Sequence, residues 1–138
     1  MTHSQLVAEA ITARGASYSP YSGFGVGAAL LAASGKLYLG CNIENAAFTP
    51  TSCAERTAFV KAVYEGEREF KAIAVVGWKR GASLEERELA FPCGVCRQVM
   101  MEFCDPDRFT VIVATSPENF KEYTLGEILP NGFGPGNI

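Results

Sequence analysis

FPCGVCRQVMMEF, residues 91–103, runs two thiols at C-x-x-C spacing straight into an apolar-periodic helix. Such a pair is either a redox couple or part of a metal site that needs further ligands. The i, i+3 spacing puts Cys93 and Cys96 on one helix face, and Pro92 suits the first helical position. Upstream, KRGASLEERELAF (79–91) is charged and irregular, as a surface loop is, and AIAVVGW (72–78) reads as a short buried strand. Downstream, TVIVAT (110–115) is a second strand of the buried kind. Strand, loop, helix, strand is the unit from which α/β sheets are made.

The rest of the chain extends that unit. Leu6, Val7, Ala10, Ile11 and Arg14 space as one face of a first helix that Gly15 stops. FGVGAALLAA (24–33) and LYLGCN (37–42) read as two strands of a hairpin around Ser34-Gly35. Thr51 and Ser52 are the N-cap candidates for a second helix, CAERTAFVKAVYEG, ending at Gly66. A piece near KEYTL adds an edge strand and LGEILP a last helical turn. The expected architecture is α/β: a three-layer α-β-α arrangement with a mixed sheet of about five strands and helices on both faces, as one domain over residues 1–138.

Composition narrows the function classes. Twelve Lys and Arg against fifteen Asp and Glu give a net charge of -3, and the cations are scattered, which argues against nucleic-acid binding. The longest apolar run, Val26 to Ala33, is far short of the ~20 residues of a membrane span. No basic-then-apolar segment opens the chain, so a cytoplasmic protein is expected. Five cysteines are then free thiols or metal ligands, since an odd number cannot all pair within one chain.

Cys53 opens the second helix as Cys93 and Cys96 open the third. Both helices follow a strand-to-loop passage, so their starts can meet at one edge of the sheet. A helix start favours thiolate, the form that binds metal, and three soft ligands suggest zinc. If Cys41 or Cys104 supplied a fourth ligand the site would be closed and structural; if water did, open and catalytic. Cys104 lies two helical turns beyond Cys96, some 12 Å along the axis, and Cys41 reads as an ordinary strand thiol. His3, before the first helix, reads as solvent-exposed. Water is the best fourth ligand.

Glu55 taken alone is the usual acidic residue of a first helical turn. Beside an open three-cysteine site it reads as the carboxylate that moves a proton. Arg56 is either a surface arginine or a donor to the cysteine sulfurs, where it would offset the -1 charge of a zinc trithiolate. Asn42 and Glu44, two apart on an extended segment, point to one side; they fit either turn chemistry or ligand binding. Phe24 is core or a stacking surface.

C-A-E at 53–55 with P-C-G-V-C at 92–96 resembles the zinc deaminase signature in its all-cysteine form. YSPYSGFGVGAAL (18–30), GCNIENAAF (40–48), TSCAERTAF (51–59), PCGVCRQV (92–99) and ILPNGF (128–133) extend the resemblance, in order, to the small homotetrameric cytidine deaminases. It implies hydrolysis of the exocyclic amine of cytidine or deoxycytidine to the uracil nucleoside, a step of pyrimidine salvage. It implies one zinc per subunit on Cys53, Cys93 and Cys96, and Glu55 as proton carrier. It further implies Arg56 behind the ligands, Asn42 and Glu44 on the ribose, Phe24 and the Ala54 backbone on the base, and Phe133 over a neighbouring subunit's site. Three departures stand out: a longer loop from Gly77 to Phe91 ending in Phe91 where relatives often have serine, Phe48 for a common tyrosine, and a short GPGNI tail. Competing readings are a deaminase of aminonucleosides such as blasticidin S, a structural zinc module, and a redox C-x-x-C.

Overall fold

Side chains along the central strands alternate between two cores, and that alternation organises the molecule. In the computed structural model, which describes Met1–Ile138, β1 (Phe24–Ala32) sends Ala28, Leu30 and Ala32 to one face and Ala29 to the other. In β3 (Phe70–Lys79), Ile73 and Val75 join the first group, and Ala72, Ala74, Val76 and Trp78 the second. Two buried faces explain why this strand reads as a continuous apolar run. With β2 (Leu37–Cys41), β4 (Thr110–Ser116) and β5 (Asn119–Thr124) the sheet runs β2-β1-β3-β4-β5. Only β3 and β4 are parallel; the other neighbours are antiparallel.

Helix α1 (His3–Arg14) covers one face through Leu6, Val7 and Ala10. Helices α2 (Ala54–Tyr64), α3 (Gly94–Phe103) and the short α4 (Leu125–Ile128) cover the other. The expected mixed five-stranded sheet between helical layers is therefore present. Glycine sets the height of both main helices. A Cβ on Gly27 of β1 would sit 2.1 Å from the Ala10 carbonyl oxygen of α1, and one on Gly40 of β2 2.3 Å from the Ala54 oxygen of α2. Neither strand position tolerates a side chain, so both helix backbones lie directly on the sheet.

Several local expectations need correction. The N-cap of α2 is Cys53, not Thr51 or Ser52. Helix α3 starts at Gly94 behind an N-cap at Cys93, so Pro92 lies outside it. The helix of Leu6 already includes His3, whose Nδ1 lies 2.6 Å from Glu122 Oε1 on β5, so this histidine is half-buried and paired rather than free in solvent. The hairpin at Gly35, the edge strand and the last helical turn lie where expected, and the 79–91 loop contains one 3-10 turn, Leu84–Glu86.

Candidate zinc centre

The two cysteine-led helix starts do meet. Cys53 and Cys93 both have extended backbone, and neither makes a side-chain capping bond. Their carbonyls accept the first helical hydrogen bonds, from Thr57 and Arg97, at 3.0 Å each. The thiols are therefore free to turn toward each other, at the positive ends of two helices. Cys53 Sγ lies 3.8 Å from Cys93 Sγ, which lies 3.6 Å from Cys96 Sγ, and all three sulfurs fall within 4.8 Å of one another. Tetrahedral zinc at Zn–S distances of about 2.3 Å requires ligand sulfurs about 3.8 Å apart. The donor set and its spacing fit that ion. Neither Cys41, Cys104 nor His3 belongs to the cluster.

The charge environment of the sulfurs is uneven. Cys53 is held down at about 5, first by its hydrogen bond with Cys96 and then by the Arg56 guanidinium and Cys93. The same contact, with burial and the surrounding negative charge, pushes the Cys96 thiol far up. Three crowded sulfurs cannot all ionise unless a cation lies among them, which again suits a dication. Arg56 takes the position expected of it: Nη2 donates to Cys53 Sγ at 3.6 Å and to the Thr51 carbonyl at 3.0 Å.

Glu55 is only 4% exposed, and burial, its largest influence, raises its carboxyl to about 7. The negative charge of Cys53 pushes the same way, while its own backbone N–H, Cys96 and Arg56 pull it down. A carboxyl held near neutrality can both accept and release a proton there.

A cavity of about 230 Å³ opens over this cluster. Its walls contain Cys53, Glu55 and Cys93 together with Phe24, Asn42, Glu44 and Ala54, so the structure brings the expected zinc and nucleoside residues to one place. Ala54, first residue of α2, contributes one of the amides that a helix start leaves without an intrahelical partner. The sequence reading missed Val26, Val75 and Ala90 in the same walls. Val26 was legible in principle, two residues beyond Phe24 on one strand face. Phe91, expected at the rim, is 43% exposed at the mouth, its ring 5.5 Å from that of Tyr123. Phe133 does not line the cavity of its own chain: it is exposed, its carbonyl accepting from Gln98 at 2.8 Å. A larger hollow of about 490 Å³ adjoins Phe24 but is lined by Lys79, Arg80, Glu86 and Glu88 with no thiol. The thiols of Cys53 and Cys93 and the Glu55 carboxyl line the smaller one.

Comparison with known proteins agrees with this geometry. Residues 1–113 match the family model described as "Cytidine and deoxycytidylate deaminase zinc-binding region". The chain is 47% identical to a cytidine deaminase of Sporosarcina psychrophila, over 97% of its own length and 93% of that protein. It is 45% identical to one from Halalkalibacterium halodurans, covering 96% and 95%. The crystal structure of a cytidine deaminase from Burkholderia pseudomallei superposes with a TM-score of 0.85 at 43% identity, covering 96% of this chain and all of that one. With this likeness over nearly its whole length and three sulfurs at zinc spacing, the chain belongs to the zinc-dependent cytidine deaminase family.

Proposed function

We propose that the protein hydrolyses the exocyclic amine of cytidine and deoxycytidine, giving uridine or deoxyuridine and ammonia, as a step of pyrimidine salvage in the cytoplasm. One observation carries the reading: Cys53 and Cys93 of a three-sulfur cluster line one cavity with the buried Glu55 carboxyl, and no fourth His, Cys, Asp or Glu joins that cluster. A closed structural site would use the fourth position and have no need of Glu55.

Cys53, Cys93 and Cys96 would hold the zinc, with the Arg56 guanidinium partly neutralising the thiolate charge. When bound, the ion supplies Lewis acidity, making water acidic enough to lose a proton near neutral pH. Glu55 takes a proton from the attacking water and delivers it to N3 of the cytosine ring as the water oxygen bonds to C4. It then moves the remaining proton from the new C4 hydroxyl to the 4-amino nitrogen as the C4–N bond breaks and the C4 carbonyl forms. Atoms balance as nucleoside plus water to uracil nucleoside plus ammonia. Phe24 and Val26 hold the base by apolar contact, the Ala54 backbone meets its polar edge, and Asn42 and Glu44 bind the sugar.

The nucleoside pocket of one chain is below the ~300 to 1,000 Å³ usual for ligand sites. Phe48, Tyr64 and Phe133 stand 93%, 91% and 60% exposed, large apolar groups of the kind that association covers. These features support a homotetramer in which Phe133 closes a neighbour's site. Light scattering should then give four times the 14.8 kDa of one chain.

The decisive test is an ultraviolet assay of the zinc-loaded protein on cytidine, deoxycytidine, cytosine and blasticidin S, repeated with Glu55→Gln. The variant is expected to keep its zinc and lose roughly 10²- to 10⁴-fold in turnover. Undiminished turnover in the variant would overturn the assignment.

A further inference from the structure

The loop between β3 and α3 grips the end of β3 from both sides. Trp78, the only tryptophan of the chain, is the penultimate residue of that strand and 5% exposed, its side chain in the core beneath α1. The Arg87 guanidinium lies against the ring, Cζ 3.8 Å from the centroid, and Nη1 donates to the Thr115 carbonyl of β4 at 3.0 Å. Gly77 faces the other way, as neighbours on a strand must. A Cβ there would meet Phe24 Cε1 at 3.0 Å, Val26 Cγ2 at 3.1 Å and Ala90 Cβ at 3.2 Å. Ala90 thus rests on bare backbone in the wall of the nucleoside cavity, which Phe91 also lines, and Leu89 packs into the core under α2 and α3. Arg87 and Ala90 are three residues apart, and extended chain covers at most about 3.6 Å per residue. Arg87 therefore limits how far Ala90 can move from Gly77.

What holds Arg87 is the ring. No carboxylate lies within ion-pair distance of it, and its buried Nε has no hydrogen-bond partner. A planar guanidinium, more weakly hydrated than an ammonium, stacks on an indole in a way that lysine does not reproduce. The ring is fixed in turn from α1. Arg14 Cζ is 4.6 Å from its centroid, with Nη2 donating to the Trp78 carbonyl at 2.7 Å and Nε to the Gly25 carbonyl of β1 at 2.9 Å. The hollow of about 490 Å³ separates much of the loop from the strand end, so close packing alone does not fix this segment.

We infer that Arg87 is a positioning residue: its stack on Trp78 holds Ala90 and Phe91 as a preformed wall of the nucleoside cavity. The inference rests on the nucleoside reading above and gives the 79–91 loop a role in it. A wall already in place saves the cost of ordering it when substrate arrives. Without the stack the loop samples displaced positions, and apparent affinity falls with the fraction of chains still in position. Once the nucleoside is bound, the sulfurs and Glu55 act as before.

Wild type, Arg87→Lys, Arg87→Ala and Lys79→Ala are compared by cytidine kinetics, zinc content and Trp78 fluorescence. Both Arg87 variants should raise KM several-fold, up to the roughly 30-fold worth of one desolvated cation–π contact, with kcat within about twofold and zinc unchanged. Lys79→Ala, which removes an exposed cation beside the same loop, should change neither constant. With one tryptophan in the chain, acrylamide quenching reads the ring directly. Quenching should rise in both Arg87 variants and fall back when saturating uridine is added, because coupling between loop and site is reciprocal. Arg87→Lys, which keeps length and charge, carries the same comparison if the alanine variant folds poorly. Rescue of KM by lysine would mean that charge rather than stacking is at work. An unchanged KM with raised quenching would mean that the loop does not set the wall, and loss of kcat or zinc along with KM would make Arg87 a general structural residue. Any of these overturns the inference. A wild type inactive on every nucleoside would instead remove the proposed function, an outcome no Arg87 variant can produce, so the two failures are distinguishable.

Discussion

Helices α1 and α2 lie on opposite faces of one sheet, each pressed onto a strand glycine, yet they begin in opposite ways. At α1 the Thr2 hydroxyl accepts from the Gln5 amide at 3.1 Å while the Gln5 side chain accepts from the Thr2 amide at 2.8 Å. This capping box occupies the helix start with its own side chains. At α2 the cap is Cys53, which makes no capping bond and turns its sulfur to the cluster. A helix start can thus be closed for stability or left open for a ligand, and the same packing supports both. The stability forgone at an uncapped start, typically ~1 kcal/mol, is the order of what chemistry costs this helix.

The strongest test of that contrast exchanges the cap chemistry. Cys53→Ser puts a favourable capping residue at the start of α2 and removes one of the three sulfurs proposed to hold zinc. Zinc per chain, measured by atomic emission, should fall from about one to near zero and deamination to background, while the metal-free fold keeps or gains stability by up to ~1 kcal/mol. Thr2→Ala on the other face should do the reverse, costing about 1 kcal/mol in urea melts and leaving zinc and kcat intact. If both variants lost zinc equally, the two helix starts would not be functionally distinct.

The glycines give the next largest effect. A Cβ at Gly27 or Gly40 would overlap helix backbone at 2.1 or 2.3 Å, and backbone yields poorly, so each alanine variant should lose about 3 kcal/mol or more. The functional outcomes should part. Gly40 lies under Ala54 and Ala58, so its variant displaces the turn that carries Cys53 and Glu55. Zinc affinity and kcat should fall together. Gly27→Ala displaces α1, which carries no part of the site, and its folded fraction should retain zinc. Chelator competition on the folded fraction at low temperature distinguishes the two.

The strand pattern, the hairpin at Gly35 and the pairing of two cysteine-led helices were all legible in the sequence, because periodicity and turn residues are local signals. The caps were not. Preference scales favour Thr51, Ser52 and Pro92, whereas Cys53 and Cys93 occupy those positions because tertiary convergence of the sulfurs outweighs a local cap. The hydrogen bonds of the Ser17 hydroxyl to Asn42 and of the Ser22 hydroxyl to Glu44 were equally invisible, since these partners lie 25 and 22 residues away. His3 was misplaced for the same reason, its partner Glu122 being on the far edge strand.

Helix α3 repeats the contrast between its own two ends, and the effect there is the smallest. Its start carries Cys93 and Cys96; its C-cap is Cys104, only 8% exposed, whose thiol burial alone raises from 9.0 to about 12. Cys104 should therefore resist iodoacetamide near pH 8 in the folded protein, as mass spectrometry would show. Cys104→Ala should keep zinc and activity and cost about 1 kcal/mol through the lost packing. The sign of that cost depends on pH. A thiol whose folded value exceeds its unfolded one contributes stability that is fully present below about pH 9 and is lost as pH rises toward 12. At about pH 10.5 the wild type has forfeited roughly 1 to 2 kcal/mol that the variant never had to lose. Urea melts at the two pH values should show the variant less stable than wild type near pH 8 and level with it or ahead near pH 10.5. A gap that stayed constant would mean Cys104 titrates alike in both states, and the buried end of α3 would then differ from its open end in packing alone.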